Sequence, residues 1–262
     1  MLVDIGINLT NNRFDKDRAE VIARAKQAQV NQLIITGTCQ KTSVQALTLC
    51  QQFPEILTCT AGVHPHDADN VSADYLVQLT ALAQSPFVKA IGECGLDFNR
   101  NFSTPENQQR VFLEQIQLAV QLSMPLFLHQ RDAFEPWLAI LEPYINSIPA
   151  LVSHCFTGDK AQLMACLDRG MYIGITGWLC DKKRGQALRD IVKYIPLERL
   201  MVETDGPYLT PQNIRPKPKS SRNEPAYLPF IVDMLAQCTH YSIAEISEHS
   251  RQNAAKVFQL ND

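Results

Sequence analysis

The sequence lacks any apolar run approaching the roughly 20 residues that a membrane-spanning helix needs, which argues against a transmembrane segment. No basic segment of the kind that opens a secretory signal stands at its start, so we expect a cytoplasmic protein. Its eight cysteines are scattered without C-x-x-C spacing, and in a reducing cytoplasm we expect them to be free thiols. The dinucleotide-binding signature G-x-G-x-x-G is absent after the first strand-like run.

An excess of positive charge is also missing. Lys and Arg number 24 against 27 Asp and Glu, and the net charge of −3 excludes a generally basic surface. A nucleic-acid partner would therefore be held by a local patch or through a metal ion. No low-complexity linker or charge run divides the 262 residues, so we expect one domain spanning 1–262.

Eight short runs rich in Val, Ile and Leu lack polar alternation, as expected for strands that are buried on both faces. They are Leu2–Asn8, Gln32–Gly37, Leu57–Val63, Val88–Glu93, Pro125–His129, Ala150–His154, Met171–Thr176 and Leu200–Asp205. Helical patterns fill the gaps, and Glu224–Leu260 has the pattern of two or three further helices. Eight strand-helix units fill the chain, which favours an α/β fold of the (β/α)8 TIM-barrel type over an open doubly wound sheet.

Four polar residues end four of these runs: Glu93, His129, His154 and Asp205. The carboxyl ends of barrel strands converge on one face, where active sites lie. Two imidazoles with carboxylates suit zinc, manganese or magnesium, so we predict a metal site there. His64 ends a fifth run; we expect it to contact substrate phosphate or act as a general acid, with metal binding as the alternative.

The predicted loops after the strands carry local positive charge. Arg100, Arg131, Lys182 and Arg222 lie in four of them, and such side chains can bind phosphate oxygens. Aromatic residues on which nucleotide bases could stack lie in or beside the same loops: Phe98, Phe102, Trp178 and Tyr208. We therefore predict that these four basic residues bind the substrate.

Five motifs together carry a family resemblance. They are Ala61-Gly-Val-His-Pro-His66, Ile91-Gly-Glu-Cys-Gly-Leu-Asp97, His154-Cys-Phe-Thr-Gly158, Glu203-Thr-Asp-Gly-Pro-Tyr208 and Arg222-Asn-Glu-Pro225. Through them the sequence resembles the TatD family of metal-dependent deoxyribonucleases over nearly its whole length. The longer string Gly95–Glu106 is similar to the central branch of that family rather than to its wider relatives. The resemblance implies metal roles for Glu93, His129 and His154, and a metal-binding or water-activating role for Asp205.

One departure concerns the first strand. Most relatives carry D-x-H-x-H there, which supplies two imidazoles to a second metal, whereas this chain reads Asp4-Ile-Gly6-Ile-Asn8. Gly6 has no side chain and Asn8 is a weak ligand, so we expect a second metal to bind poorly or to need substrate phosphate. Glu203, two residues before Asp205, would be costly to bury unless paired, and we expect it to orient a ligand or water.

The resemblance implies a 3′-5′ exonuclease of single-stranded DNA, with RNA as a second candidate substrate and DNA repair or degradation as its role. We expect a divalent metal, with magnesium for activity and zinc or manganese as alternatives, in a monomer. A water activated by the metal would attack phosphorus in line, with Asp205 accepting its proton. The rival hypotheses are a small-molecule amidohydrolase or lactonase on the same barrel, and a non-catalytic barrel that binds nucleic acid.

Overall fold

The computed structural model of the protein describes residues 1–260, in which eight β-strands alternate with helices. The strands are β1 (Leu2–Ile7), β2 (Val30–Ile35), β3 (Leu57–Ala61), β4 (Val88–Asp97), β5 (Leu126–Arg131), β6 (Leu151–Ser153), β7 (Tyr172–Ile175) and β8 (Leu200–Val202). The α-helices of the described residues are α1 (Arg18–Gln27), α2 (Gln40–Gln52), α3 (Tyr75–Ala83), α4 (Pro105–Leu122), α5 (Phe134–Leu141), α6 (Lys160–Asp168), α7 (Gln186–Ile191), α8 (Leu228–Cys238) and α9 (Ile243–Phe258). The strands join one sheet in sequence order, and the pairs with assigned register are parallel. This order confirms the predicted (β/α)8 barrel class.

The residues group into two compact units, Met1–Ile35 with Cys155–Asp262, and Thr36–His154. In the first unit β7 pairs with β8, and β1 pairs with β2. The backbone amide of Asn8 donates to the Gly206 carbonyl at 2.8 Å, and that of Asp205 donates to the Gly6 carbonyl at 2.8 Å. The chain after β8 therefore returns to β1, as a barrel order requires.

Helix α9 holds β8 in place within this first unit. Its N-terminus is a capping box, in which the Ser242 hydroxyl accepts from the Glu245 amide and the Glu245 carboxylate accepts from the Ser242 amide. The buried Asn253 amide donates to the carbonyls of Leu197 and Leu200, and the Ser250 hydroxyl accepts from the Val202 amide. The C-terminal helix thus satisfies backbone groups at both ends of β8.

The second unit, Thr36–His154, contains β3 to β6 and helices α2 to α5. Two buried glutamines on α4 fix the ends of two strands. The Gln115 amide group bonds both the amide and the carbonyl of Val63, and Gln108 does the same for Asp97. Because each glutamine offers both a donor and an acceptor, it satisfies backbone groups that a strand end would leave unpaired.

The predicted strands are all present, but their ends differ from prediction where polar residues cluster. Strand β4 continues past Glu93 to Asp97, and β5 continues past His129 to Arg131. Strand β8 ends at Val202, so Asp205 lies in the segment that follows it. Among the helices, α5 ends at Leu141 and gives way to a 3-10 helix over Glu142–Ser147, because a proline at 143 cannot continue the α-helical bonding.

Among the described residues, none of the eight cysteines forms a disulfide. No helix within residues 1–260 combines the length and the apolar character needed to cross a membrane. The single domain over 1–262 stays a prediction, and the two units are described separately.

Candidate metal centre

The structure brings four predicted site residues together in the unit Thr36–His154. Glu93 lies on β4 and His129 on the neighbouring β5, where Gly95 pairs with His129 in the parallel register. His154 directly follows β6, and His64 follows β3 and caps a short 3-10 helix by accepting the His66 amide on its Nδ1. Successive parallel strands thus deliver one carboxylate and three imidazoles.

One carboxylate oxygen of Glu93 lies close to all three imidazole rings. Glu93 Oε1 lies 2.8 Å from His129 Nδ1, 2.9 Å from His154 Nε2 and 3.4 Å from His64 Nε2. Glu93 and His154 are buried, and the side chain of His64 is only 11% exposed. Three ring nitrogens therefore surround one buried anionic oxygen.

Burial and charge oppose each other in this cluster. Burial raises the pKa of Glu93, but the nearby His154, His64 and His129 outweigh it and hold that pKa well below its usual value. Burial lowers the pKa of His64 to about 3, so its imidazole is neutral at physiological pH. Burial also lowers the pKa of His129, but the carboxylates of Asp97 and Glu93 reverse that effect and raise it. The centre therefore combines a fixed carboxylate with imidazoles of different proton affinity.

The donor set fits a divalent cation. Buried His129 Nε2 has no hydrogen-bond partner among residues 1–260, and its 3.5 Å distance to Asp97 Oδ2 is too long for a strong bond. A buried polar atom without a partner is costly, and a bound ion would satisfy it. His64, Glu93 and His129 each offer one ligand atom, and these atoms lie within 4.8 Å of one another. Nitrogen and carboxylate ligands of this kind bind zinc, manganese and related ions.

Asp97 and His66 also belong to this region, although neither was predicted as a site residue. Asp97 Oδ2 lies 2.7 Å from His66 Nε2, while Oδ1 accepts the amides of Asn99 and Arg100. Burial raises the pKa of Asp97, but the nearby His129 imidazole and the hydrogen bonds with His66 and the Arg100 amide hold that pKa well below its usual value. Strand alternation offered a signal, because counting in twos from Glu93 reaches Asp97.

The close approach of β4 to β5 depends on Gly95. Its φ of +149° lies in a region that residues with a side chain rarely adopt. A Cβ at this position would lie 1.8 Å from the His129 carbonyl oxygen. The glycine between Glu93 and Asp97 therefore lets the two ligand-bearing strands meet.

Asp205 belongs to the other unit. It follows β8 with a φ of +54°, a left-handed conformation that is uncommon for residues other than glycine. Asn8, at the end of the first strand, donates from Nδ2 to Asp205 Oδ1 at 2.9 Å. Asn8 therefore orients the Asp205 carboxylate by a hydrogen bond.

Two further acidic residues of this unit, Asp4 and Glu203, are buried. Asp4 Oδ1 accepts the Thr204 amide at 2.8 Å, and Oδ2 accepts the Thr204 hydroxyl at 2.5 Å. Burial is the main cause that raises the pKa of Asp4 to about 7. Glu203 is fully buried, and its Oε1 accepts the Cys155 amide at 2.5 Å. This bond gives the buried Glu203 a partner, and its role in orienting a ligand or water stays a prediction.

The four basic residues predicted to bind substrate lie in different surroundings. The guanidinium of Arg100 lies 5.9 Å from the ring centre of Phe102, whose side chain is 64% exposed. Arg131 ends β5, and Lys182 is exposed beside a cleft. Arg222 instead donates from both Nη atoms to Asp17 at 2.7 Å. Its ion pair with Asp17 is a structural role that the sequence did not indicate.

Comparison with known proteins decides the family. A sequence model described as "TatD related DNase" matches residues 3–259. The chain belongs to the TatD-related DNase family. Members of this family are metal-dependent hydrolases of phosphodiester bonds, and the His and Glu cluster supplies the corresponding candidate metal site.

Relatives and solved structures agree with this assignment. The chain is 49% identical over 259 residues to the "3'-5' ssDNA/RNA exonuclease TatD" of Pectobacterium parmentieri, covering 99% of this chain and 100% of the relative. It is 52% identical to the protein of the same name in Salmonella typhimurium, covering 99% of each. The TatD homologue YjjV of Escherichia coli K12 has a TM-score of 0.89 at 25% identity, covering 99% and 98% of the two chains. A TatD family hydrolase of Entamoeba histolytica has a TM-score of 0.88 at 27% identity, covering 98% and 97%.

Proposed function

We propose that this TatD-family hydrolase is a 3′-5′ exonuclease that removes nucleotides from single-stranded DNA and also accepts RNA. The names of relatives about half identical over the whole chain support this substrate and polarity. The observation that carries the proposal is the group of imidazoles around Glu93, in which His129 Nε2 lacks a hydrogen-bond partner, because it offers a buried ligand set to a cation.

We assign Glu93, His129 and His64 as metal ligands, with His154 and Asp205 retained as predicted ligands. The neutral state of His64 suits a ligand better than the general acid expected from the sequence. A divalent ion held there would act as a Lewis acid, which lowers the pKa of water and neutralises charge on phosphoryl oxygens. Magnesium is the proposed ion for activity, although imidazole ligands also suit zinc and manganese.

The protein's own residues would handle the protons. Asp205, oriented by Asn8, would accept the proton of the attacking water. His66 is partly exposed and is held by Asp97, so we assign it to protonate the departing oxygen. Phe102 lies edge-on against His66 at 4.7 Å between ring centres and would stack on a base, which tolerates any sequence. Arg100 and Arg131 would contact the phosphates. The monomeric state, the cytoplasmic location and the role in DNA repair stay predictions.

The test is digestion of a 5′-labelled single-stranded oligonucleotide by chelator-stripped protein, with magnesium, manganese or zinc added back. We expect a metal-dependent ladder that shortens from the 3′ end. Glu93→Gln and His129→Ala should remove most activity while the protein stays folded, because the first removes the negative charge of a ligand and the second removes a ligand nitrogen. His240→Ala, an exposed histidine outside the cluster, is the matched control and should keep wild-type activity. Wild-type rates from Glu93→Gln would refute the metal centre, and no cleavage by folded, metal-loaded protein would refute the nuclease.

A further inference from the structure

A cationic cleft of about 510 Å³ lies in the unit that contains β7 and β8, between the segment after β7 and the long segment after β8. We call it the Lys182 cleft. Six of its lining residues carry a cationic or hydroxyl group: Lys182, Arg215, Lys217, Thr210, Ser220 and Ser221. No acidic residue is among the described residues that line it. A concave surface with three cations, three hydroxyls and no carboxylate is complementary to an anion.

The walls of the Lys182 cleft are tied together. Gln212 Oε1 accepts the Lys182 amide at 3.2 Å, and Gln212 Nε2 donates to Asp181 Oδ2 at 3.1 Å. The Thr210 hydroxyl donates to the Ser221 carbonyl at 2.7 Å, which joins two parts of the segment after β8. Because these bonds are already made, less conformational freedom is lost when a ligand binds.

The lysines of the cleft keep their charge available. Within residues 1–260, neither Lys182 nor Lys217 has a carboxylate in ion-pair range. Their neighbour Arg184, in contrast, is neutralised by Asp181, with 2.8 Å between Arg184 Nη2 and Asp181 Oδ2. Lys182 therefore offers the cleft a charge that no carboxylate of the described residues compensates, whereas Arg184 does not.

We propose that the Lys182 cleft binds the phosphodiester backbone of the nucleic-acid substrate, at nucleotides other than the one being removed. This inference rests on the nuclease function proposed above. A volume of about 510 Å³ lies within the range of ligand clefts and accommodates about one nucleotide unit. Lysines and hydroxyls bind phosphate oxygens without reading bases, so the cleft would add affinity for long strands of any sequence.

The test compares two double variants with the same change in charge. Lys182→Glu with Lys217→Glu alters the cleft, whereas Lys183→Glu with Lys219→Glu alters exposed neighbours that do not line it. Affinity for a labelled 20-nucleotide single strand is measured with chelator present, from about 50 to 200 mM salt. Loss of two phosphate contacts should reduce the slope of log affinity against log salt by about 1.4 and weaken binding about ten-fold. The control, Lys183→Glu with Lys219→Glu, should change the slope of log affinity against log salt by less than half as much.

Cleavage separates failure of this inference from failure of the nuclease proposal. A dinucleotide has one phosphodiester, the bond that is cleaved, and so it offers no further backbone phosphate to the cleft. The cleft variant should therefore lose kcat/KM for the 20-mer at least about ten-fold more than for the dinucleotide. If wild-type protein degrades both substrates and the two double variants behave alike, the cleft proposal is wrong and the nuclease stands. If wild-type protein neither binds nor cleaves the 20-mer with any metal, both proposals are wrong.

Discussion

Replacing Asp4 by Asn should flatten the dependence of stability on pH. Asp4 is fully buried, and burial raises its pKa to about 7, against about 3.9 for an aspartate in an unfolded chain. Between these two values the folded protein holds a proton that the unfolded chain has lost. Stability therefore falls as pH rises from about 4 and levels off above pH 7.

The magnitude follows from the two pKa values. From about pH 5 to pH 8, titration of Asp4 alone should lower the free energy of unfolding by about 2.5 kcal/mol. An Asn side chain resembles the protonated acid: its oxygen accepts the Thr204 amide, and its NH2 donates to the Thr204 hydroxyl, which also accepts from the Gly206 amide. Asp4→Asn should thus keep a hydrogen bond to each Thr204 group, with the direction of the hydroxyl bond reversed, and lose this component of the pH dependence.

The assay is urea unfolding of both proteins at about pH 5 and pH 8, with the change between the two pH values compared. Subtracting the variant's change from that of the wild type isolates Asp4, because histidines and other groups titrate in both proteins. Asp190→Asn, the same replacement at an exposed site, is the control and should match the wild type. Equal pH dependence of wild type and Asp4→Asn would show that the Asp4 carboxyl is not perturbed in the folded state, and would refute the reasoning.

Two further predictions concern stability elsewhere. Gly95→Ala should lower the free energy of unfolding by about 2 kcal/mol or more, because the new Cβ would collide with the His129 carbonyl and residue 95 has a φ of +149°. A change below about 0.5 kcal/mol in urea unfolding would contradict the close approach of β4 and β5. Arg222→Ala should cost about 1–2 kcal/mol, between the values for exposed and buried pairs, because Asp17 loses both bonds from Arg222. Arg251→Ala, which breaks an exposed pair with Glu248, is its control, and an equal loss in both variants would argue against a structural role for Arg222.

The fold was predictable because its signals are local. Buried parallel strands are apolar throughout, so each of the eight runs could be recognised without knowledge of its partners. The pairing of strands then followed from the alternation with helices. The predicted strand ends were less accurate, because where a strand ends depends on side chains that are distant in sequence. Strand β4 reaches Asp97, for example, where the residue pairs with Arg131 of β5 and Gln108 of α4 bonds both of its backbone groups.

The site was predictable in its ligands and not in its supporting bonds. Glu93, His129 and His154 end apolar runs, and a polar group in that position stands out in the sequence. The environment that neutralises His64 is formed by burial among several strands, which no single segment reveals. The ion pair of Arg222 could not be predicted for a similar reason, because its partner Asp17 lies far away in sequence and only the fold brings the two residues together.

The division of the chain into units has a consequence for how the protein is made. The stretch Thr36–His154 is continuous and carries Glu93 and the histidines around it, whereas the other unit is assembled from both ends of the chain. A ribosome extends a protein from the N-terminus, and units fold as they emerge. The ligand-bearing stretch is therefore complete while β1 and β2 still await β7 and β8. Asp205 enters the molecule only afterwards, so a nascent chain would carry the histidine and glutamate ligands before it carries the proposed proton acceptor.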